Sequence, residues 1–154
     1  MAKHHYVGKA GHLAVMSEIA LRGYNVALPE IDVGDDIFGV SPDSGKLTRV
    51  QVKTASGRKG KKTTTYQFRI RRKVINTGVT PDLVFVFAMR HCESWRFMVL
   101  KRFVLKRLCR KRRLGSANGD FRVISVSCRG DRWTGAKIPL DVYMENWSPW
   151  PRLT

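Results

Sequence analysis

The sequence predicts a single α/β domain spanning residues 1–154. Three observations predict it. Residues 8–23 and 101–113 carry apolar side chains at helical spacing. Between and beyond them lie short apolar or alternating segments of strand length, separated by turn signals. One of these, residues 82–89 (DLVFVFAM), is nearly all apolar, which suits a central strand covered on both faces. With 154 residues, 43% of them hydrophobic, the chain has the size of one ordinary domain and can bury one core.

Taken in order, the first helix is expected over residues 8–23. Leu13, Met16, Ile19 and Ala20 fall at three- and four-residue spacings, Ala14 and Leu21 widen the apolar face, and Gly23 is placed to stop the helix. A short strand follows at residues 24–28 and ends at Pro29. Gly34 allows a tight entry into a second strand with Ile37, Phe38 and Val40. The turn signal SPDSG at 41–45 makes a hairpin with the strand at 47–55, whose apolar members are Val50 and Val52. A glycine-containing basic loop at 56–62 leads to a strand at 63–70. After the apolar strand at 82–89, a polar turn at 91–94 introduces another strand at 95–100. The second helix, 101–113, puts Phe103, Val104 and Leu108 on one side and ends at Gly115. Residues 121–127 alternate with Phe121, Val123 and Ser125 on one side. The tail reads as a short helix at 139–147, with Trp133, Trp147 and Trp150 as core staples.

The charge narrows the partner. Lys and Arg number 29 against 12 Asp and Glu, a net of +17, which points to a polyanion and most often nucleic acid. Residues 58–73 hold eight basic side chains in sixteen positions, interleaved with Tyr66 and Phe68. That reads as a phosphate-contacting surface with rings available for stacking. The basic helix at 101–113 is assigned to the same task. Cys92, Cys109 and Cys128 are odd in number and not in CxxC spacing, so neither a disulfide framework nor a zinc site is expected. No run has signal-peptide character or membrane-spanning length, so a cytoplasmic protein with no membrane partner is expected.

The chemistry concentrates in residues 31–55. Gln51 and Lys53 lie two apart on one strand and share a face, while Val52 points into the apolar layer. If that strand pairs with its neighbour, Asp36 converges on them. Hydrolysing a phosphodiester takes an activated water and neutralisation of the charge that develops on phosphorus, which divalent ions held by hard oxygen ligands supply. Asp36 offers a carboxylate, Gln51 an amide oxygen and Val52 a backbone carbonyl. Lys53 can position or deprotonate water or offset charge on phosphate. The plainer reading leaves Gln51 and Lys53 as polar residues on a solvent-facing strand.

Three runs, GHLAVMSEIALRGYNV (11–26), DVGDDI (32–37) and RVQVKT (49–54), resemble in their order the PD-(D/E)XK nuclease superfamily, in particular its small bacterial endonuclease-like domains. The likeness extends from about residue 8 to residue 89. It implies a restriction-endonuclease-like fold, a mixed central sheet of four or five strands flanked by helices, with Mg²⁺ or Mn²⁺ as cofactor. It further implies Asp36 as the metal-binding acid, Gln51 at the second motif position and Lys53 as the catalytic lysine. The implied substrate is DNA, with RNA as the other candidate, and a homodimer would supply the two cuts that two strands need. The chain departs from the pattern twice. Gln51 stands where the family carries its second acid. Gly11-His12 stands where a Gly-Glu pair is common, so the third ligand is His12, absent, or, in a shifted register, Glu18. Glu18 lies about 240° further round the helix axis from His12. Imidazole suits Mn²⁺ better than Mg²⁺; His12 also reads as a partly buried helix residue. Asp35 is turned away from Asp36, and Asp32 can contribute through water. Three functions therefore stand: a metal-dependent endonuclease, a nucleic-acid-binding domain with a degraded site, and a basic interaction protein.

Overall fold

The computed structural model describes residues 2–31 and 34–153. Among the described residues, α-helices run at α1 (Ala2–Ala20), α2 (Arg72–Asn76) and α3 (Arg102–Lys111). The strands are β1 (Asn25–Ala27), β2 (Ile37–Val40), β3 (Leu47–Ser56), β4 (Arg58–Lys59), β5 (Thr64–Arg71), β6 (Leu83–His91), β7 (Ser94–Lys101), β8 (Ser116–Asn118), β9 (Phe121–Arg129), β10 (Arg132–Gly135) and β11 (Ile138–Pro139).

The first sheet has the order β1-β2-β3-β6-β7 and is mixed: β3 and β6 are parallel, and the other neighbours are antiparallel. Parallel neighbours require the chain to leave the sheet and return. The segment that does so carries β4, β5 and α2, and its strands found a second sheet. That sheet is antiparallel, with the order β11-β10-β9-β5-β4 and β8 also on β9.

β6 is covered on both faces, as its apolar run predicts. Val84, Val86 and Ala88 face a cluster with Val15 and Ile19 of α1, Val50, Val52, Trp147 and Trp150. Phe85, Phe87 and Met89 face the second sheet through Tyr66, Phe68, Ile70, Ile124 and Val126, with Leu105 and Leu108 of α3. The tail tryptophans are core staples, all three buried.

Several sequence expectations are corrected. In α1 the buried seam is Gly11, Val15 and Ile19, four residues apart, whereas Leu13 is 54% and Leu21 68% exposed. Helical periodicity is carried by large apolar residues, but this helix seats itself through a missing side chain. A Cβ at Gly11 would lie 2.2 Å from Thr54 Oγ1 of β3. Gly23 does stop the helix, at φ +95. In α3 the buried positions are Arg102, Leu105, Leu108 and Cys109, and Phe103 is exposed. In β9 the fully buried set is Ile124, Val126 and Cys128, the parity opposite to that expected. The loop at 56–62 contains β4, α2 follows β5 directly, and the expected tail helix shrinks to a 3₁₀ turn at Asp141–Tyr143. No helix among the described residues is long and apolar enough to cross a membrane.

Candidate active site

The β2–β3 hairpin builds the centre. Its register pairs Ile37 with Val50, and Asp36 extends the ladder by one more bond, its N–H donating to Val50 O at 2.8 Å. Asp36 stands just before β2 begins, so the ladder stops there and the next N–H of β3 on that side needs another acceptor. Asp36 Oδ2 supplies it, taking the Val52 N–H at 2.7 Å and the Gln51 Nε2–H at 2.8 Å. Asp36 and Gln51 therefore converge, and Lys53 lies two residues along on the same strand face as Gln51.

Burial pushes the Asp36 carboxyl above its ordinary range of about 3.8. The Val52 N–H, the charges of His12 and Lys53, and the Gln51 amide oppose that rise without cancelling it. His12 is thus placed where its charge is felt at Asp36. Glu18 is held elsewhere: its Oε2 accepts from Arg22 Nη1 at 2.8 Å, and that guanidinium lies 4.6 Å from the centre of the Trp147 ring. Of the two helix residues the sequence offers, only His12 acts on Asp36. Asp32 lies outside the described residues.

Asp35 is committed to Arg49. The guanidinium donates through Nε to Oδ1 and Oδ2 at 3.0 and 3.1 Å and through Nη2 to Oδ2 at 2.7 Å, with Asp35 buried. Sequence reasoning missed this pair. Its one signal was alternation, because Arg49 shares a strand face with Gln51 and Lys53.

The Gln51 amide turns its nitrogen to Asp36 and its oxygen toward Gly34, 4.0 Å from where a Cβ on that glycine would stand. To ligate an ion beside Asp36, the amide must rotate so that the oxygen takes the nitrogen's place. Among the described residues no group of three or more His, Cys, Asp or Glu gathers as a metal site. Among the described residues, Asp36 and Gln51 thus offer one carboxylate and one amide as side-chain oxygen donors, a sparse set that still suits a hard ion completing its shell with water.

A cleft of about 580 Å³ opens beside this centre. One wall is Asp35, Arg49, Gln51 and Lys53; the other carries Arg69, Arg71, Lys73 and Phe121. Among the described residues five cations line it, and the one carboxylate, Asp35, is already paired. The Arg69 guanidinium stacks 3.8 Å from the Phe121 ring centre. The basic run 58–73 thus reaches the site through Arg69, Arg71 and Lys73. Its aromatic residues do not: Tyr66 and Phe68 are buried between the sheets because they occupy the inward parity of β5. Phe121 provides the accessible ring. α3 contributes nothing to this cleft, and its Arg102 is buried against Asp82 and the Ile75 carbonyl.

No family model matches the sequence, and no curated protein is similar to it at significant level. A similar solved structure is a bacterial homing endonuclease, I-Ssp6803I, with a TM-score of 0.59 at 21% sequence identity, covering 92% of this chain and 87% of that one. The likeness extends over nearly the whole chain and is one of fold: the protein has a nuclease-like α/β architecture.

Proposed function

We propose that the protein is a metal-dependent DNA endonuclease of the PD-(D/E)XK type. The observation that carries this reading is the convergence of Asp36 and Gln51, with Lys53 on the same face, at the edge of a cleft lined by cations. Asp36 and the turned amide of Gln51 would hold Mg²⁺ or Mn²⁺, which when bound supplies an acidified water and charge neutralisation. Lys53 lines the cleft where a phosphate would lie and supports the attacking water or the charge developing on phosphorus. Arg69, Arg71 and Lys73 hold neighbouring phosphates from the opposite wall. His12, the helix residue whose side chain acts electrostatically on Asp36, is the third position of the site. Cutting both strands takes two such sites, supplied by a homodimer, or two successive nicks.

A second reading has its own support. With one carboxylate where a nuclease commonly gathers two or three, the same fold can bind a duplex without cutting it.

Incubating the protein with supercoiled plasmid and Mg²⁺ or Mn²⁺ separates the two. Cleavage that requires metal and falls about 10²–10⁴-fold in Lys53→Ala, with DNA affinity kept, supports hydrolysis. Salt-sensitive binding without cleavage supports the second reading. Linear product without a nicked intermediate would favour the dimer.

A further inference from the structure

We propose that the open face of the second sheet reads base sequence in the major groove of duplex DNA. The inference rests on the proposed duplex substrate, though not on its hydrolysis.

β5 and β9 form the spine of this sheet. Their inward residues fill the core, and their outward residues form the cross-strand pairs Gln67–Ser125, Arg69–Val123 and Arg71–Phe121. Gln67, Arg69, Arg71 and Ser125 are exposed. A solvated sheet face in an ordinary domain mixes charges of both signs. None of these six positions is acidic, although the chain has 12 acids, and Arg129 and Arg132 extend the cationic face at its far end. The sign of the charge matches a polyanion. The amide and hydroxyl groups between the arginines match the edges of bases: Gln to adenine, Arg to guanine, Ser to either.

The width of the sheet fits as well. Along this spine β4 pairs with Thr64 and Thr65, β8 with residues 121–123, and β10 with residues 127–129. At the level of Gln67 and Ser125 the hydrogen-bonded ladder is two strands wide, with residues 54–56 across a cleft from Gln67 and Gly135 of β10 beside Ser125. A two-stranded ribbon enters a B-form major groove, about 12 Å across, whereas the deep and narrow major groove of A-form RNA excludes it. Finally, the face runs into the cleft beside the candidate active site, because Arg69, Arg71 and Phe121 line that cleft opposite Gln51 and Lys53. A duplex with a phosphate in the cleft presents its adjacent groove to Gln67 and Ser125.

Selection of preferred sites from a pool of randomised DNA duplexes, in chelator and without divalent metal, tests this. The wild type should enrich a defined site. Gln67→Ala and Ser125→Ala, both at exposed positions, should each lose a preference of roughly five- to hundredfold at one or two adjacent base pairs, with the salt dependence of binding unchanged. A Lys61→Ala, Lys62→Ala double variant should keep the site and bind every sequence more weakly, with a salt slope lower by about two. Duplex binding without any site preference, an unaltered site in both the Gln67 and Ser125 variants, or preference for duplex RNA would overturn the inference. None of these results depends on cleavage, so they leave the hydrolytic reading where the plasmid assay puts it. Absence of all duplex binding would remove the substrate on which both stand.

Discussion

Gln51 donates its side-chain N–H to Asp36 Oδ2 across 2.8 Å, so the neutral amide is a hydrogen-bonding partner for the buried acid beside it. A carboxylate at position 51 would repel Asp36 instead. The amide lowers the cost of burying Asp36; in the proposed metal site it would be a weaker ligand than a carboxylate.

Gln51→Glu should therefore trade stability for metal affinity. Position 51 is buried, and two facing carboxylates cannot both ionise cheaply. The metal-free variant should melt several degrees lower than the parent and be restored by Mn²⁺. Its Mn²⁺ affinity should rise by about tenfold or more, since a carboxylate binds a hard ion better than an amide does. Calorimetric titration and melting with and without Mn²⁺ measure both quantities. Unchanged affinity would remove Gln51 from the metal site.

Asp36 should set an acid limit on metal binding. Its folded pKa is raised above 3.8, so the folded protein holds that proton more tightly than the unfolded chain does. Its contribution to stability is accordingly full below 3.8 and is lost as pH rises through the folded value. The same shift means that the carboxylate required by the proposed metal site forms only above the ordinary aspartate range. Mn²⁺ affinity followed against pH should have its midpoint above 3.8, and Asp36→Asn should abolish it. A midpoint at or below that value contradicts the assignment.

Gly11→Ala weighs helix propensity against contact. Alanine favours a helix over glycine by about 1 kcal/mol, but here its methyl would meet Thr54, and forced overpacking costs about 1–3 kcal/mol. A net loss of stability is expected in urea denaturation, largely recovered in the Gly11→Ala, Thr54→Ala double variant. Because α1 must lift from β3, His12 moves with it, and cleavage should fall more than stability explains. Full stability in the single variant would show that the helix can shift freely.

Arg102 should matter to the fold and not to substrate binding. It is buried and donates to both Asp82 and the Ile75 carbonyl. Burial alone would raise the Asp82 pKa, but the Arg102 hydrogen bond and the Leu83 N–H hold it below the ordinary value. The stability this contributes is present above the unfolded pKa of about 3.8 and is lost as pH falls through the folded one. Arg102→Ala should cost about 2 kcal/mol at neutral pH, a value moderated by the partial exposure of Asp82. Duplex affinity at constant salt should stay within about twofold of the parent, because a single buried charge adds little to a phosphate-binding surface. A large drop in affinity with unchanged stability would reverse the assignment.

Much of this protein is legible in its sequence wherever one element settles the matter alone. The SPDSG turn makes the β2–β3 hairpin, the unbroken apolar run makes β6 a doubly covered strand, and a two-residue period puts Gln51 and Lys53 on one side. Asp36 is recognisable because it stands where β2 begins. What the sequence leaves open depends on which of two faces a distant partner covers. Both parities of β9 carry apolar residues, and only the packing of the second sheet on the first buries Ile124 and Val126 and leaves Phe121 beside Arg69. Gly11 anchors α1 through the side chain it lacks, which no hydrophobicity pattern registers. The Asp35–Arg49 pair and the two-walled cationic cleft join residues from separate elements. Local periodicity thus determined the elements and the order of the candidate ligands. Tertiary packing decided which faces were buried and which cations meet at the site, because burial is a property of pairs of surfaces and not of one segment.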